Sequence, residues 1–272
     1  MPDRSSDLLV FAHRGGSERH PEHTLAAYEQ AIAGGVDGIE CDVRLSRDGH
    51  LVCVHDRRLH RTSDGRGLVR RRTLAELQEL DFGSWHSNPA KVLPLEDLLA
   101  LVRDTARPLR VLIETKHPSA GSRQVEPLLH QTLRRFGLDR ADGPDRTGVT
   151  VMSFSPLALA RIRALAPELP RVFLMEFMPP GLPSRRLPFG AGIAGPGVAL
   201  LRWRPGLVRR LRARGYPVYV WTVNSARDLE YVRRLGVTGV ITDRPGFIRA
   251  RLNAAVAEPP ADTADSHHGR PR

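Results

Sequence analysis

Residues 8–16 read LLVFAHRGG, and this stretch decides how the rest of the chain is interpreted. A short apolar run that ends in a basic pair and two glycines is typical of a buried strand that breaks into a loop. A helical pattern follows, with Leu25, Tyr28 and Ile32 on one face, and residues 37–45 then alternate as a second strand. This order predicts two parallel strands joined by a crossover helix.

The second strand pattern is followed at once by a hairpin. Residues 46–50 (SRDGH) separate it from another alternating segment at 51–55, and this spacer is too short for a crossover helix. Asp48-Gly49 is a common turn pair in antiparallel hairpins. We therefore predict that residues 51–55 run back along residues 37–45 in the opposite direction.

Strand and helix patterns alternate along the rest of the chain, which indicates a parallel sheet. Further candidate strands are residues 110–115, 149–154, 172–177, 198–201, 218–223 and 237–242. Amphipathic helices are predicted at residues 95–103, 125–135, 157–165, 207–214 and 226–235. Without the hairpin's return strand, enough parallel strands remain to close a barrel. We predict an α/β fold, a TIM (β/α)8 barrel with a β-hairpin after the second strand and a small insertion; a doubly wound open sheet is the alternative.

The barrel pattern accounts for a single domain at residues 1–257. Residues 258–272 are rich in Pro, Ala, Asp, Ser and His, a composition that predicts a disordered C-terminal tail. Residues 179–196 are rich in Gly and Pro, and we expect a long loop there, near a strand end.

Composition excludes several classes of protein. Two cysteines, Cys41 and Cys53, cannot support a disulfide-rich scaffold or a four-cysteine zinc site. No apolar run approaches the roughly 18 residues of a membrane helix, and the N-terminal apolar run is too short for a signal peptide. We therefore expect a soluble, cytoplasmic protein.

The formal net charge of +11 is a weak guide to partners. Lys91 and Lys116 are the only lysines among the 41 lysine and arginine residues, so arginine dominates throughout, as compositional bias produces. A nucleic-acid binder is the alternative that this charge raises, but the sequence has no recognition helix, zinc finger or aromatic platform to support it. We expect no nucleic-acid partner.

Acidic residues lie near the C-terminal ends of two predicted strands. Glu40 and Asp42 are two residues apart and share a face of one strand, and Glu114 lies at the end of a later strand. The C-terminal ends of barrel strands converge on one opening, so the three carboxylates should meet there. Together they repel one another unless a cation compensates them, and an all-oxygen set suits Mg²⁺ or Ca²⁺. The sequence predicts one divalent cation at this place.

Basic residues and histidines accompany the carboxylates. His13 and Arg14 follow the first strand, His55 ends the hairpin, and Lys116 lies two residues beyond Glu114. A cation beside Arg14 and Lys116 favours an anionic ligand, for which phosphate is the commonest candidate. The two histidines could act as general base and general acid. The set predicts metal-assisted phosphoryl transfer.

Two later strand ends allow more than one interpretation. Trp221 either packs inside the barrel or forms an apolar wall for the alcohol of a substrate. Thr242 and Asp243 are expected to cap and turn the chain rather than to contact substrate.

Eight short motifs, in this order and spacing, resemble those of the glycerophosphodiester phosphodiesterase family. They read HRGG (13–16), PEHT (21–24), GIECDV (38–43), DG (48–49) followed by HD (55–56), ETK (114–116), SF (153–154), WTVN (221–224) and TDRP (242–245). The resemblance extends from residue 8 to about residue 250. It implies a barrel enzyme that hydrolyses glycerophosphodiesters to an alcohol and glycerol 3-phosphate.

The resemblance also implies roles for the motif residues. The acid–base histidines are His13 and His55, the metal carboxylates are Glu40, Asp42 and Glu114, and the substrate-binding residues are Arg14, Lys116, Glu22, Trp221 and Asn224. In the implied mechanism the substrate's glycerol 2-hydroxyl attacks phosphorus, one histidine protonates the leaving alcohol, and water opens the cyclic phosphate. The second motif usually has Asn where this chain has His23, which changes the surroundings of Glu22.

Two further partners remain as alternatives. The same site could act on lysophospholipids, as a lysophospholipase D. Residues 57–72 hold seven arginines opposed by Asp64 alone and could contact an anionic membrane surface transiently, although a solvated loop is the simpler explanation.

Overall fold

Parallel strands form a nearly closed barrel in the computed structural model, which describes residues 8–86, 88–117, 122–140, 147–178 and 186–257. Within these ranges the strands are β1 (Leu9–Ala12), β2 (Gly38–Leu45), β3 (Leu51–Cys53), β4 (Arg110–Thr115), β5 (Gly148–Ser153), β6 (Arg171–Met175), β7 (Ile193–Pro196), β8 (Tyr219–Val220) and β9 (Gly239–Thr242). The parallel strands follow the order β7-β6-β5-β4-β2-β1-β9-β8. Parallel bridges of Ala194 with Val218 and of Gly197 with Trp221 link β7 to β8. The predicted TIM (β/α)8 barrel is therefore confirmed, and the open sheet is excluded.

Helices follow the strands and cover the outside of the barrel. They are α1 (Leu25–Ala33), α2 (Leu74–Gln78), α3 (Leu95–Arg103), α4 (Val125–Arg135), α5 (Pro156–Leu165), α6 (Val198–Trp203), α7 (Gly206–Arg212), α8 (Ala226–Leu235) and α9 (Pro245–Ala257). Thr24 caps α1, since its side-chain oxygen accepts a hydrogen bond from the Ala27 N–H. The local sequence signal at Thr24 thus sets the start of α1.

The predicted hairpin and insertion are also present. β3 pairs antiparallel with β2, and Val43 lies opposite Cys53. Gly49 takes a φ of 90° in the turn, a value that glycine adopts without steric cost. The chain after β3 forms an insertion with α2 and a small apolar core of its own, made of Val52, Val54, Leu59, Val69, Leu77, Phe82 and Val92.

The seventh barrel strand lies earlier than the sequence analysis predicts. The strand predicted at residues 198–201 is wrong, because helix α6 occupies that place and β7 lies within the stretch expected to be a loop. A short apolar run does not distinguish a buried helix from a strand, and Gly and Pro conceal β7. Gly195 is required in β7, since a Cβ there would lie 2.7 Å from the side chain of Val172.

Residues 179–185 of the expected loop and the predicted tail at residues 258–272 lie outside the described residues.

Successive residues of β2 point alternately out of and into the barrel. Ile39, Cys41 and Val43 belong to the core between strands and helices, so Glu40 and Asp42 point inward. The barrel interior also contains an apolar cluster, formed by Phe11, Leu112, Met152, Val172, Leu174, Tyr219 and Ile241. The polar groups at the C-terminal ends of the strands therefore lie on an apolar floor.

Candidate active site

Three acidic side chains meet on adjacent strands inside the barrel. Asp42 of β2 lies directly opposite Glu114 of β4 in the strand register, and Glu40 precedes Asp42 by two residues. Each side chain offers a carboxylate oxygen, and these atoms all lie within 4.8 Å of one another. All three residues are buried. A compact set of three carboxylates could hold a hard metal ion.

Burial and mutual repulsion control the protonation of these carboxyls. Burial, together with the neighbouring carboxylates, raises the pKa of Glu40 well above its usual range and the pKa of Glu114 to about 8. Burial opposes ionisation of Asp42 too, but Lys116 and a hydrogen bond from His23 outweigh it and hold the pKa of Asp42 well below its usual range. At neutral pH the three carboxyls therefore cannot all be ionised without a further positive charge.

Two basic side chains contact this acidic group. Lys116 Nζ lies 2.8 Å from Glu114 Oε1 and 3.1 Å from Asp42 Oδ1. Arg14 Nε lies 3.1 Å from Asp42 Oδ2, and the Arg14 backbone N–H donates to Glu40 Oε2 at 3.0 Å. Although Asp42 Oδ1 is close to Lys116, it accepts no hydrogen bond of good geometry from the described residues. A buried carboxylate oxygen with an available lone pair fits a cation site.

The loop after β1 has a left-handed backbone that aims Arg14 at the site. Arg14 and Gly15 have φ values of 53° and 87°. A Cβ on Gly15 would lie 2.8 Å from the Cβ of Ala27 in α1, so only glycine allows the loop to pack this closely. The first glycine of HRGG is therefore needed for close packing against α1, and Arg14 before it contacts the acidic group.

Each of the two candidate histidines is held by an aspartate through Nδ1. His13 Nδ1 lies 2.6 Å from Asp243 Oδ1, and His55 Nδ1 lies 2.6 Å from Asp56 Oδ1. Because an ionised carboxylate only accepts hydrogen bonds, Nδ1 carries the proton and Nε2 is the ring nitrogen that can exchange a proton in the cavity. Both pairs orient an imidazole for acid–base chemistry.

The surroundings of His55 keep its ring neutral. Burial, with the charges of Lys116 and Arg14, lowers its pKa to about 4, although Asp42 acts in the opposite direction. A neutral imidazole whose Nδ1 is protonated can accept a proton on Nε2. His55 therefore meets the requirement for a general base at neutral pH.

His23 supports Asp42 from behind. Its Nε2 lies 2.9 Å from Asp42 Oδ2, and its Nδ1 lies 2.9 Å from the hydroxyl of Tyr28. Burial lowers the pKa of His23, so the neutral ring donates from Nε2 to the carboxylate, and its Nδ1 shares the Tyr28 hydroxyl proton with the Glu40 backbone oxygen, which lies 3.2 Å from that hydroxyl. The φ of His23 is 61°, in the left-handed region where Asn and His are enriched. The same backbone conformation explains why either Asn or His suits this position.

Two predicted substrate-binding residues lie behind the cavity. Burial opposes ionisation of Glu22, but hydrogen bonds from Arg61 and the charge of Arg14 lower its pKa to about 2. Asn224 donates from Nδ2 to Asp243 Oδ2 at 2.6 Å and accepts from the Asp243 backbone N–H at 2.9 Å. Glu22 thus positions Arg14, and Asn224 positions the aspartate that holds the first histidine.

A cavity of about 300 Å³ opens beside these groups. Six of its polar lining residues come from the predicted site: His13, Arg14, Glu40, His55, Glu114 and Lys116. The remaining lining residues are Met152, Phe154, Leu174, Glu176, Trp221, Thr222 and Ile241. The structure therefore brings both candidate histidines, both basic residues and two of the three carboxylates to one cavity, and Trp221 lies in the wall of that cavity.

Three residues that the structure connects to this site are not among those predicted from the sequence. Asp56 and Asp243 hold the histidines, and Arg61 bridges Asp56 and Glu22. Asp243 directly follows β9, the strand that pairs with β1, so strand order was a signal that could have linked it to His13. Asp243, which was expected to turn the chain, also holds His13 through Nδ1.

Comparison with known proteins identifies the family. The chain matches the Glycerophosphoryl diester phosphodiesterase family over residues 13–247. It belongs to this family. "Probable glycerophosphodiester phosphodiesterase 1" of Mycobacterium tuberculosis is 46% identical, over 90% of this chain and 92% of its own length. The more distant "Lysophospholipase D GDPD3" of Mus musculus is 28% identical, over 90% of this chain and 82% of its own length.

A solved structure supports the same assignment. An Oleispira antarctica phosphodiesterase in complex with the product sn-glycerol-3-phosphate superposes with a TM-score of 0.80 at 27% identity, covering 90% of this chain and 96% of its own. The family resemblance read from the sequence is confirmed, and the protein is a phosphoric diester hydrolase. In the part of the chain that the structure describes, no helix is long and apolar enough to cross a membrane.

The contacts of His23 generate a prediction about stability. Replacing His23→Ala should lower the free energy of unfolding by roughly 2 to 3 kcal/mol, because the buried carboxylate of Asp42 loses a hydrogen-bond donor. His23→Asn should cost less, since Asn tolerates the left-handed backbone and retains a donor. Urea unfolding in the presence of EDTA measures both variants without any contribution from bound cations. Equal losses for Ala and Asn would contradict this account.

Proposed function

We propose that this hydrolase converts glycerophosphodiesters to an alcohol and glycerol 3-phosphate, using one divalent cation and two histidines. The observation that carries the proposal is the shared cavity of His13 and His55, each oriented by an aspartate, with buried carboxylates and two basic side chains. The Oleispira antarctica relative binds sn-glycerol-3-phosphate, which is the product expected here.

Glu40, Asp42 and Glu114 would hold the cation, either Mg²⁺ or Ca²⁺. Their donor atoms are all carboxylate oxygens, and the buried Asp42 Oδ1 lacks a well-formed hydrogen bond, so the residues fit a hard ion. When bound, such an ion supplies positive charge that stabilises negative charge on phosphate oxygens.

Arg14 and Lys116 bind and orient the phosphate in this proposal. Both side chains line the cavity and are largely buried. Although burial opposes it, the neighbouring carboxylates raise the pKa of each, so both stay charged at all relevant pH values. Fixed positive charges in a poorly hydrated cavity stabilise an anionic transition state more strongly than they would in water.

In the first half of the reaction, the substrate supplies its own nucleophile. His55 Nε2 accepts the proton of the glycerol 2-hydroxyl while the hydroxyl oxygen bonds to phosphorus. The bond between phosphorus and the leaving alcohol's oxygen breaks, and His13 Nε2 gives that oxygen a proton. Asp56 and Asp243 hold the two rings in the required orientation through Nδ1. The products are the free alcohol and a cyclic glycerol phosphate.

The second half reverses the two histidine roles. His13, now neutral, accepts a proton from water as the water oxygen bonds to phosphorus. The bond between phosphorus and the glycerol 2-oxygen breaks, and His55 returns its proton to that oxygen. The enzyme regains its starting protonation, and glycerol 3-phosphate is released.

Lysophospholipids are a second candidate substrate for the same site. Phe154 lines the cavity and is 40% exposed, and Phe177 near the end of the next strand is 77% exposed. Exposed apolar side chains beside a binding site can contact an acyl chain. The mouse relative named as a lysophospholipase D adds family support. Residues 57–72 remain the candidate contact for an anionic membrane surface, although Arg61 is already bound to Glu22 and Asp56.

Chelation tests the proposed activity directly. EDTA should abolish the release of glycerol 3-phosphate from glycerophosphocholine, and added Mg²⁺ or Ca²⁺ should restore it, because three buried carboxylates need a compensating cation. EDTA already saturated with Mg²⁺ serves as the control for other effects of the chelator. Full activity in excess EDTA would refute the metal dependence.

The low pKa of His55 predicts the acid limb of the pH profile. A base with a pKa near 4 stays neutral from pH 8 down to about pH 5, so kcat/KM should fall only as the pH approaches 4 rather than near 6.5. His55→Ala and His13→Ala should each lower kcat by about 10²-fold or more. Circular dichroism at each pH separates titration from unfolding. A midpoint near pH 6.5 in a folded enzyme would contradict the assignment of His55 as base.

The lysophospholipid candidate predicts a preference that an assay can rank. If the exposed aromatic side chains bind an acyl chain, kcat/KM for lysophosphatidylcholine should be at least that for glycerophosphocholine, and Phe177→Ala should lower it for the lysolipid only. Choline release below the critical micelle concentration measures both. A strong preference for glycerophosphocholine would eliminate this candidate.

A further inference from the structure

The catalytic cavity has a second wall whose chemistry the proposed reaction does not use. In the circular strand order, β6 lies diametrically across from β1, and β8 lies across from β4. Glu176 directly follows β6, so it faces the side that carries His13, and Trp221 directly follows β8, so it faces the side that carries Glu114. Both residues line the cavity. Glu176 therefore lies across the barrel from the strand that leads to Arg14, and Trp221 lies across from the strand that leads to Lys116, whereas Phe154 follows β5, the neighbour of β4.

The second wall presents aromatic rings in a fixed arrangement. Phe154 and Trp221 pack edge to face, with centroids 5.4 Å apart and ring planes at 86°. Trp221 Nε1 donates to the backbone oxygen of Gly195 at 2.8 Å, which fixes the indole. At Gly197 a Cβ would lie 3.3 Å from the indole, so the missing side chain lets the ring lie close to the backbone. A positioned indole face attracts cations through its quadrupole.

A carboxylate accompanies these rings. Glu176 is exposed and has no hydrogen-bond or ion-pair partner among the residues that the structure describes. An unpaired carboxylate is notable in a chain where basic residues outnumber acidic ones by 41 to 30. It would repel a phosphate, so it cannot serve the anionic part of the substrate. A carboxylate that lines the same cavity as a tryptophan and a phenylalanine is instead suited to an organic ammonium group.

We propose that Glu176, Trp221 and Phe154 form a subsite for the ammonium group of an amino-alcohol leaving group, such as choline or ethanolamine. The subsite deepens the proposed function and depends on it, since it specifies the alcohol that the hydrolase releases. The substrate then has its phosphate beside Arg14 and Lys116 and its ammonium group against the opposite wall. The positive charges of Arg14 and Lys116 thus lie near the negative phosphate, and the negative charge of Glu176 lies near the positive ammonium group of the same substrate.

A pair of substrates tests the subsite. Glycerophosphocholine has a cationic leaving group, and glycerophosphoglycerol has a neutral one. The ratio of their kcat/KM values should favour glycerophosphocholine in the native enzyme, and Glu176→Gln should lower that ratio about tenfold, as expected for loss of an attraction to a cation. Glu176→Lys should lower the ratio further, because the new charge repels the ammonium group.

A matched control separates local from general charge effects. Glu29→Gln removes the same charge from an exposed position on α1, and the substrate ratio should not change. Choline titrated into the intact protein by calorimetry gives a readout without turnover, and its dissociation constant should rise about tenfold in Glu176→Gln.

The outcomes distinguish the two proposals. Hydrolysis of neither substrate with Mg²⁺ or Ca²⁺ present would overturn the proposed function itself. Hydrolysis of both substrates at a ratio that Glu176→Gln and Glu176→Lys leave unchanged would overturn the ammonium subsite alone. A ratio that Glu29→Gln lowers equally would also overturn it, because net charge would then explain the preference.

Discussion

Repulsion among three buried carboxylates is the constraint on which the rest of this site depends. Glu40, Asp42 and Glu114 lie on two adjacent strands with their ligand atoms within 4.8 Å of one another. Burial makes ionisation of each carboxyl unfavourable, and the pKa of Glu40 and of Glu114 is raised as a result. Ionisation of the whole group requires nearby positive charge, and the position of each surrounding cation follows from this requirement.

The neighbouring side chains supply part of this compensation. Lys116 contacts two of the carboxylates, and Arg14 contacts Asp42 while Glu22 holds its guanidinium from the other side. His23 adds a hydrogen bond to Asp42. Most of the +11 charge is a background of arginine spread over the chain, whereas these few charges act because the barrel places them within 3 Å or so of a buried partner.

Each of the two histidines is also paired with a carboxylate. Asp56 follows His55 directly in the chain, whereas Asp243 reaches His13 across 230 residues of sequence. Local and long-range contacts thus produce the same Nδ1 arrangement at both rings. The proposed reaction, in which each histidine serves once as acid and once as base, requires both rings to be oriented in this way. It also requires a neutral base at the start, and the burial of His55 beside Lys116 and Arg14 lowers its pKa to about 4.

Sequence alone predicted the barrel, the hairpin and six of the polar residues that line the cavity. It could do so because alternation of strand and helix forces parallel pairing, and parallel strands bring their C-terminal residues to one opening. The error at residues 198–201 came from a place where local pattern is ambiguous: β7 contains Gly195 for close packing against β6, and no local signal distinguishes such a strand from a loop.

The tertiary structure alone decided which residues touch the cavity and which act through a neighbour. Glu22 and Asn224 share motifs with cavity residues, yet they face Arg14 and Asp243 instead, because side-chain direction depends on packing that motif spacing does not encode. The position of Glu176 is decided in the same way: it lies across the cavity from the proposed phosphate site only because β6 and β1 occupy opposite sides of the barrel. The residue types and their order along the chain determined which functional groups are present near the strand ends. Closure of the barrel determined how those groups are arranged around the cavity.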